Sequence, residues 1–148
     1  MSRNLQMLIG VKTNQRFEIV SIDDFMKLAT DETIYEDDVY EISGDMCRRV
    51  QEILQTLDGA IIDHVITSPR ILCQLQEMTA GYDLKMIHVT CPLEELLRRE
   101  QLRGNRCKGT AESSYTYLYP KDGYDLTVDS HCMDSEACAE MIYRTYFE

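Results

Sequence analysis

Residues Ala60 to Ile66 read AIIDHVI, and this short apolar run decides how the chain folds. Such a near-continuous run is typical of a parallel strand whose two faces are both covered by helices. Before it, apolar residues recur every three or four positions up to Gly59, where a helix commonly ends. After it, Ser68 and Pro69 open a second amphipathic segment, with proline at the first helical position. The sequence therefore predicts a helix, a buried strand and a helix in succession.

The same alternation continues on both sides of this run. Three further segments are rich in β-branched and aromatic residues and predict strands: Phe17 to Ile22 (FEIVSI), Leu84 to Thr90 (LKMIHVT) and Tyr124 to Asp129 (YDLTVD). Strands that alternate with helices predict an α/β fold, in which helices flank both faces of a parallel sheet. Because the sequence has no internal repeat, linker or break in composition, we predict a single domain over residues 1–148.

The boundaries of some elements rest on weaker patterns. We expect Ser43 to cap the helix that ends near Gly59, because serine commonly caps helices. The first sixteen residues fit a helix or a strand. We favour a helix, because too few residues separate this segment from Phe17 for a parallel crossover, and a strand here would pair only as a hairpin. Residues 105–123 predict an irregular loop or a short helix.

Composition excludes several classes of protein. The 148 residues have a formal net charge of -11, which disfavours binding to nucleic acid or to anionic membrane surfaces. No stretch approaches the ~20 apolar residues of a membrane span, and the first ten residues lack the pattern of a signal peptide. The six cysteines form no C-x-x-C pair. We therefore expect a cytoplasmic protein with free thiols.

Carboxylates follow two of the predicted strands. Asp23 and Asp24 end the first strand, where a carboxylate either accepts a proton from a substrate hydroxyl or caps the next helix. Asp63 lies late in the apolar run, where an acid either holds Mg²⁺, directly or through water, or is satisfied by neighbouring backbone N–H groups. We interpret the adjacent His64 as an oriented polar neighbour of the substrate rather than as a metal ligand.

Basic residues concentrate in one segment of this acidic chain, RREQLRGNRCKG, from Arg98 to Gly109. Arg99 and Arg103 share a helix face, and Arg106 follows on the loop. Planar guanidinium groups suit phosphate oxygens, so this segment predicts an anion site; the alternative is a solvated helix end that complements the helix dipole. We place a lid segment at about residues 98–120.

An acidic run, DETIYEDDVYE, covers Asp31 to Glu41. It is usually a solvated face or a loop, and the alternative is that it lines a pocket for a polar or cationic substrate. Tyr35 then stacks on the ligand, although tyrosines also pack under loops.

The segment from Ile87 to Ile142 resembles the C-terminal half of the chloramphenicol phosphotransferase-like family of P-loop kinases. The resemblance is carried by HVTCPLEELLRREQLRGNR, YDLTVDS and DSEACAEMI, and FEIVSIDDF and GAIIDHVI resemble earlier strands of the family. The resemblance implies an α/β kinase that transfers the γ-phosphoryl group of ATP, with Mg²⁺, to a hydroxyl group of a small molecule.

The resemblance also implies roles for individual residues. Asp23 corresponds to the family's proposed base, and Asp63 to the acid that ends its third strand. Arg103 and Arg106 correspond to lid arginines, to which we add Arg99 from the residue pattern. The turn beside the adenine corresponds to Asp129, Ser130 and His131. We predict that Asp24, Tyr35 and His64 contact the acceptor.

The sequence departs from the family at the phosphate-binding loop. A P-loop reads G-x-x-x-x-G-K-[ST], and none of the five lysines here follows a glycine. Counted back from Asp23, the loop falls just before Met1, so we expect the natural start to lie upstream. The family's first strand, which lies centrally in its sheet, is then missing, and the resulting gap is closed, filled by residues 4–11 or paired with another chain.

Three hypotheses follow from this departure. The first is an ATP-dependent small-molecule phosphotransferase. The second is a catalytically inactive, kinase-like protein that uses the same crevice to bind a ligand or partner. The third is a homo-oligomer whose copies exchange strands.

Overall fold

A computed structural model describes residues 1–26, 35–104 and 110–148 of the chain. The elements in these residues are α1 (Ser2–Thr13), β1 (Phe17–Ser21), α2 (Ile22–Met26), α3 (Glu36–Leu54), β2 (Gly59–Asp63), α4 (Pro69–Met78), β3 (Ile87–Thr90), α5 (Leu93–Arg103), α6 (Thr110–Tyr117), β4 (Leu126–Asp129) and α7 (Ser135–Tyr146). The predicted alternation of strands and helices is confirmed. None of the helices in the described ranges is long and apolar enough to cross a bilayer.

The strands form two separate pairs. β1 and β2 are parallel, with Phe17 opposite Gly59 and Ser21 opposite Asp63. β3 and β4 are also parallel, and Thr90 lies opposite Asp129. Within the described ranges, the strands make two two-stranded sheets, and β2 is not hydrogen-bonded to β3. The gap expected from the sequence is therefore open.

The gap is a cavity of about 520 Å³ whose walls include β2, the residues leading into β3, and the first turns of α1. Val89 of β3 lines it and is 48% exposed, although valine in the middle of a parallel strand is normally covered. We call this cavity the central groove.

Two hydrophobic clusters form the core. The first joins β1 and β2 to α3 and α4, with Met46, Val50 and Ile71 as fully buried members. The second joins α1, α7 and β4, with Ile9 and Val128 at its centre. Side chains of β2 alternate between the clusters, because Ala60 and Ile62 pack against the first and Ile61 against the second. Helices therefore cover both faces of β2, as the apolar run predicts.

The structure settles the open boundaries. The amino-terminal segment is helical, so the helix prediction is confirmed and residues 4–11 do not fill the gap as a strand. Residues Thr110–Tyr117 form the short helix α6. The prediction for Ser43 is wrong, because α3 begins seven residues earlier, at Glu36. Acids at Glu36, Asp37 and Asp38 occupy its first turn, where the helix dipole favours them.

Candidate functional site

Three carboxylates meet where β1 and β2 end. Asp63 is the last residue of β2 and lies opposite Ser21, and Asp23 and Asp24 follow Ser21 in the first turn of α2. The pKa of Asp63 is raised, first by its partial burial and then by the charges of Asp23 and Asp24. Asp23, Asp24 and Asp63, which the sequence singles out separately, are therefore close enough to interact, and we call this group of carboxylates the acidic edge.

The amino end of α1 lies at the same edge. The amino group of Met1 is close enough to Asp63 to oppose the rise in its pKa, and Met1 and Ser2 line the central groove. The first backbone N–H groups of a helix have no partner within the helix, and the helix dipole is positive there. The acidic edge is thus next to a group of donors that suits an anion.

His64 lies partly buried beside the acidic edge and lines the central groove. Its Nε2 is 3.0 Å from the Oγ of Ser43, which is fully buried in α3. Its Nδ1 is buried and has no hydrogen-bond partner within the described structure. Burial lowers the pKa of His64 to about 4, so the ring is neutral at pH 7. A neutral imidazole with one unused nitrogen suits a hydrogen bond to a polar ligand.

Arg99 connects α5 to the turn after β4. Its Nε donates to Glu95 at 2.8 Å, and its Nη2 donates to the backbone oxygen of Ser130 at 2.9 Å. A further contact of 3.3 Å joins Nη1 to the Oγ of Ser130. Hydrogen bonds from Arg98 and Arg99 lower the pKa of Glu95 to about 2. The structure therefore brings together a predicted lid residue and a predicted nucleotide-binding residue.

Asp129 organises the turn that contains Ser130. Its Oδ1 accepts the backbone N–H of His131 at 2.8 Å, and its Oδ2 accepts the thiol of Cys132 at 3.2 Å. The first of these bonds is the largest cause of the lowered pKa of Asp129. The His131 side chain is exposed. Asp129, Ser130 and His131 thus form one turn at the carboxyl end of β4, as the family resemblance implies.

Arg103, Arg106 and Tyr35 are the remaining predicted residues. Arg103 is the exposed last residue of α5, and Arg106 lies outside the described residues. Tyr35 precedes α3, is 68% exposed and donates its backbone N–H to Asp38.

Sequence reasoning missed two residues that shape the site. Ser43 orients His64, but its position inside a helix gives no such signal. Glu95 holds Arg98 and Arg99 together. The spacing of Glu95 and Arg99, four residues apart on one helix, is the signal from which their ion pair could have been found.

Parallel strands flanked by helices, with charged residues at the strand ends, are an architecture that P-loop kinases share with other α/β proteins. The chain belongs to the family described as Chloramphenicol phosphotransferase-like protein, whose sequence model matches residues 14–147. A search of curated proteins found no significant match.

Two solved structures are similar to the chain. The APS kinase CysC of Mycobacterium tuberculosis, in complex with AMPPNP and APS, has a TM-score of 0.72 and 14% identity, covering 97% of this chain and 88% of that one. The Deinococcus radiodurans tunicamycin resistance protein has a TM-score of 0.59 and 17% identity, covering 87% of this chain and 81% of that one. Because both identities are low, the likeness shows the fold alone.

Proposed function

We propose that this protein is an ATP-dependent phosphotransferase that moves the γ-phosphoryl group of ATP to a hydroxyl group of a small molecule. The observation that carries the proposal is the acidic edge, where Asp23 follows β1 and Asp63 ends β2 in adjacent positions. Family membership over residues 14–147 and the kinase fold support this class of reaction. In phosphoryl transfer, the protein contributes chiefly by positioning groups and by stabilising charge.

Asp23 acts as the base in this proposal. It accepts the proton of the acceptor hydroxyl while the acceptor oxygen forms a bond to the γ-phosphorus. The bond from that phosphorus to the bridging oxygen breaks, and ADP leaves with the electron pair. Asp23 is exposed in the first turn of α2, so an acceptor can approach it. Asp24, Tyr35 and His64 contact the acceptor, and the unused Nδ1 of His64 supplies one hydrogen bond.

Asp63 is the residue that would hold Mg²⁺. The described residues contain no cluster of three metal-ligating side chains, but Mg²⁺ usually takes one or two carboxylates together with waters and substrate phosphates. A single carboxylate at the acidic edge therefore fits. When bound, Mg²⁺ neutralises charge on the phosphate oxygens.

The second half of the chain would bind the nucleotide. Arg99, Arg103 and Arg106 supply positive charge to the phosphates, and the turn of Asp129, Ser130 and His131 lies beside the adenine. Arg99 donates to the backbone oxygen of Ser130, so in this proposal a movement of Arg99 toward the phosphates would also move the turn beside the adenine.

A second candidate is a protein that binds a ligand or partner at the same crevice without catalysis. It is favoured by one observation, that no lysine of these 148 residues stands in a G-x-x-x-x-G-K-[ST] sequence. Without such a loop, ATP lacks backbone donors and a lysine that normally surround its phosphates.

Calorimetric titration with Mg-ATP separates the two candidates. The kinase proposal expects a Kd in the micromolar range, and a measurable release of ADP when hydroxyl-bearing acceptors are added, beginning with chloramphenicol, APS and tunicamycin. A reaction without acceptor gives the background of ATP hydrolysis. If ATP does not bind at millimolar concentration, the kinase proposal is wrong for this chain. ATP binding without transfer to a wide acceptor panel favours the non-catalytic candidate.

A further inference from the structure

Ser43 is a fully buried hydroxyl in the middle of α3, and its hydrogen bonding differs from that of other hydroxyls on helices. Hydroxyl groups at such positions commonly donate to the backbone oxygen four residues earlier. Four threonine hydroxyls do so here at 2.7–2.9 Å, those of Thr13, Thr79, Thr116 and Thr145. Within the described residues, the Ser43 hydroxyl has a single nitrogen or oxygen partner, the Nε2 of His64 at 3.0 Å. The bond to His64 therefore takes the place of the usual bond to the helix backbone.

The chemistry of the neighbouring groups favours Ser43 as the donor in this bond. If Nε2–H of His64 donated to Oγ instead, the Ser43 hydrogen would have to go to the thiol of Cys47, which lies one turn later in α3 and also forms a hydrogen bond with Ser43. A thiol sulfur is a weak acceptor, whereas the unprotonated nitrogen of a neutral imidazole is an ordinary one. When Ser43 donates to Nε2, its Oγ can accept the thiol hydrogen of Cys47. This arrangement gives every hydrogen an oxygen or nitrogen acceptor.

This arrangement determines which nitrogen of His64 carries the proton. A charged ring would carry N–H groups at both nitrogens, and the buried Nδ1 has no partner within the described structure. Because an unpaired buried charge is costly, the ring is neutral. A neutral imidazole has one N–H and one accepting nitrogen, so when Nε2 accepts from Ser43, the hydrogen lies on Nδ1. A buried N–H without a partner loses the hydrogen bond that it makes in water. His64 lines the central groove, where an oxygen of a ligand would restore that bond.

We propose that Ser43 is a positioning residue that holds His64 in the Nδ1–H form, so that the site selects an acceptor substrate with a hydrogen-bond-accepting oxygen, such as a carbonyl or hydroxyl group, at this point. A substrate that places an ammonium or amide N–H there would leave two donors facing each other unpaired, a mismatch that polar sites reject strongly. The identity of the ligand rests on the proposed function, which brings the acceptor to His64. The form of the ring does not depend on it.

The first test is a two-bond ¹H–¹⁵N correlation spectrum of the unmodified protein, labelled with ¹⁵N-histidine and measured at pH 7 without ATP or acceptor. Protonated and unprotonated ring nitrogens resonate far apart, so the spectrum shows directly which nitrogen of each ring carries hydrogen. The chain has three histidines, and the signals that are lost in His64→Gln belong to His64. We expect Nδ1 to be protonated and Nε2 unprotonated. A protonated Nε2, a charged ring or comparable amounts of both neutral forms overturns the proposal.

The same spectrum of Ser43→Ala tests whether the serine sets the form of the ring. The matched control is Thr79→Val, which removes another buried hydroxyl, one that donates to the backbone oxygen of Leu75 and not to His64. We expect the ratio of the Nδ1–H form to the Nε2–H form to fall at least about fivefold in Ser43→Ala, as the loss of one hydrogen bond implies, and to change less than about twofold in Thr79→Val. An unchanged ratio in Ser43→Ala, or an equal change in both variants, overturns the proposal.

Kinetics with chloramphenicol, APS and tunicamycin as probes test the effect on the substrate. For a probe that is turned over, Ser43→Ala and His64→Gln should each raise its KM about tenfold, with a smaller change in kcat. The double variant should match His64→Gln alone, because Ser43 acts through His64. If Ser43→Ala causes the same loss in the His64→Gln background, the two residues act independently and the proposal is wrong. If ATP does not bind and no probe is turned over, the proposed function fails, whereas the spectrum still decides the role of Ser43.

Discussion

The two strand pairs differ in the electrostatic surroundings of the carboxylates at their carboxyl ends. At the end of β1 and β2, desolvation and then the charges of Asp23 and Asp24 raise the pKa of Asp63. At the end of β4, Asp129 accepts backbone hydrogen bonds, and Arg99 donates to Ser130. At the second edge the pKa of Asp129 is lowered, whereas at the first edge the pKa of Asp63 is raised. Groups with perturbed pKa values are common at functional sites, so this contrast fits the proposal that the first pair carries the chemistry and the second positions the ligand.

The largest effect is expected from Asp23→Asn, which removes the proposed base and one charge of the acidic edge. We expect kcat to fall about 10³-fold, within the ~10²–10⁴-fold range of general-base catalysis, with little change in the Kd for ATP. The pKa of Asp63 should also fall, because one cause of its elevation is gone. Steady-state kinetics, calorimetry and carboxyl NMR titration measure the three quantities.

Asp83→Asn is the matched control for this variant. Asp83 also lines the central groove, but it precedes β3 and pairs with Lys85. The same change of charge there should leave kcat within about twofold of the unmodified protein. If Asp23→Asn retains full turnover while the pKa of Asp63 shifts as expected, Asp23 is a neighbour of the site and not its base.

The second prediction concerns His64, whose partly buried ring follows directly after β2. Its pKa is about 4 in the folded chain, against an ordinary value of 6.5. As the pH falls through this window, the unfolded chain takes up the proton first, so stability present at pH 7 is progressively lost. We expect this group to lower the free energy of unfolding by about 2 kcal/mol between pH 7 and pH 5. Urea denaturation at the two pH values measures the loss.

His64→Gln isolates this contribution, because the other shifted carboxylates remain. Asp63 works in the opposite direction: its raised pKa makes the folded chain gain stability as it is protonated. The variant should therefore lose less stability on acidification than the unmodified protein. An identical loss in both proteins would show that the His64 ring is not desolvated in solution.

Much of this arrangement could be predicted from the sequence, because it depends on local patterns. The apolar run at Ala60–Ile66 predicts a strand covered on both faces, and the sequence places acids at the ends of two strands, where ligands bind in parallel sheets. Ser43 shows what local patterns miss. Serine is a common cap, but here the helix begins at Glu36 and Ser43 is buried against His64. This contact joins residues 21 positions apart, and only tertiary packing determines it.

The third prediction tests whether Arg99 holds the turn after β4 in place. Arg98 and Arg99 both donate to Glu95, but Arg99 also donates to Ser130. We therefore expect Arg99→Ala to lower kcat/KM for ATP about tenfold or more, as the loss of a charge-assisted contact usually does. It should also speed hydrogen exchange at His131, whose turn loses its anchor. Arg98→Ala should change both quantities less than about twofold, and equal effects of the two substitutions would contradict the assigned role of Arg99.

The smallest effect on the free energy of unfolding is expected from removing two helix caps, those of α4 and α7. Ser68 accepts the N–H of Ile71 and caps α4, whereas Asp134 accepts from Glu136 and Ala137 and caps α7. Each alanine substitution should cost about 1 kcal/mol, a typical value for the loss of a cap. Chemical denaturation followed by hydrogen exchange measures both the size and the location of the change. Ser113→Ala, an exposed change in α6, is the control and should remain within about 0.5 kcal/mol.

The strands in which hydrogen exchange becomes faster show how tightly the pair β1–β2 is coupled to the pair β3–β4. Ser68→Ala should speed exchange mainly in β1 and β2, and Asp134→Ala mainly in β3 and β4, because no ladder joins β2 to β3 in the described residues. Uniform effects in residues 1–148 alone would instead mean that the two clusters already unfold as one unit, and that the helices, rather than the sheet, carry the coupling.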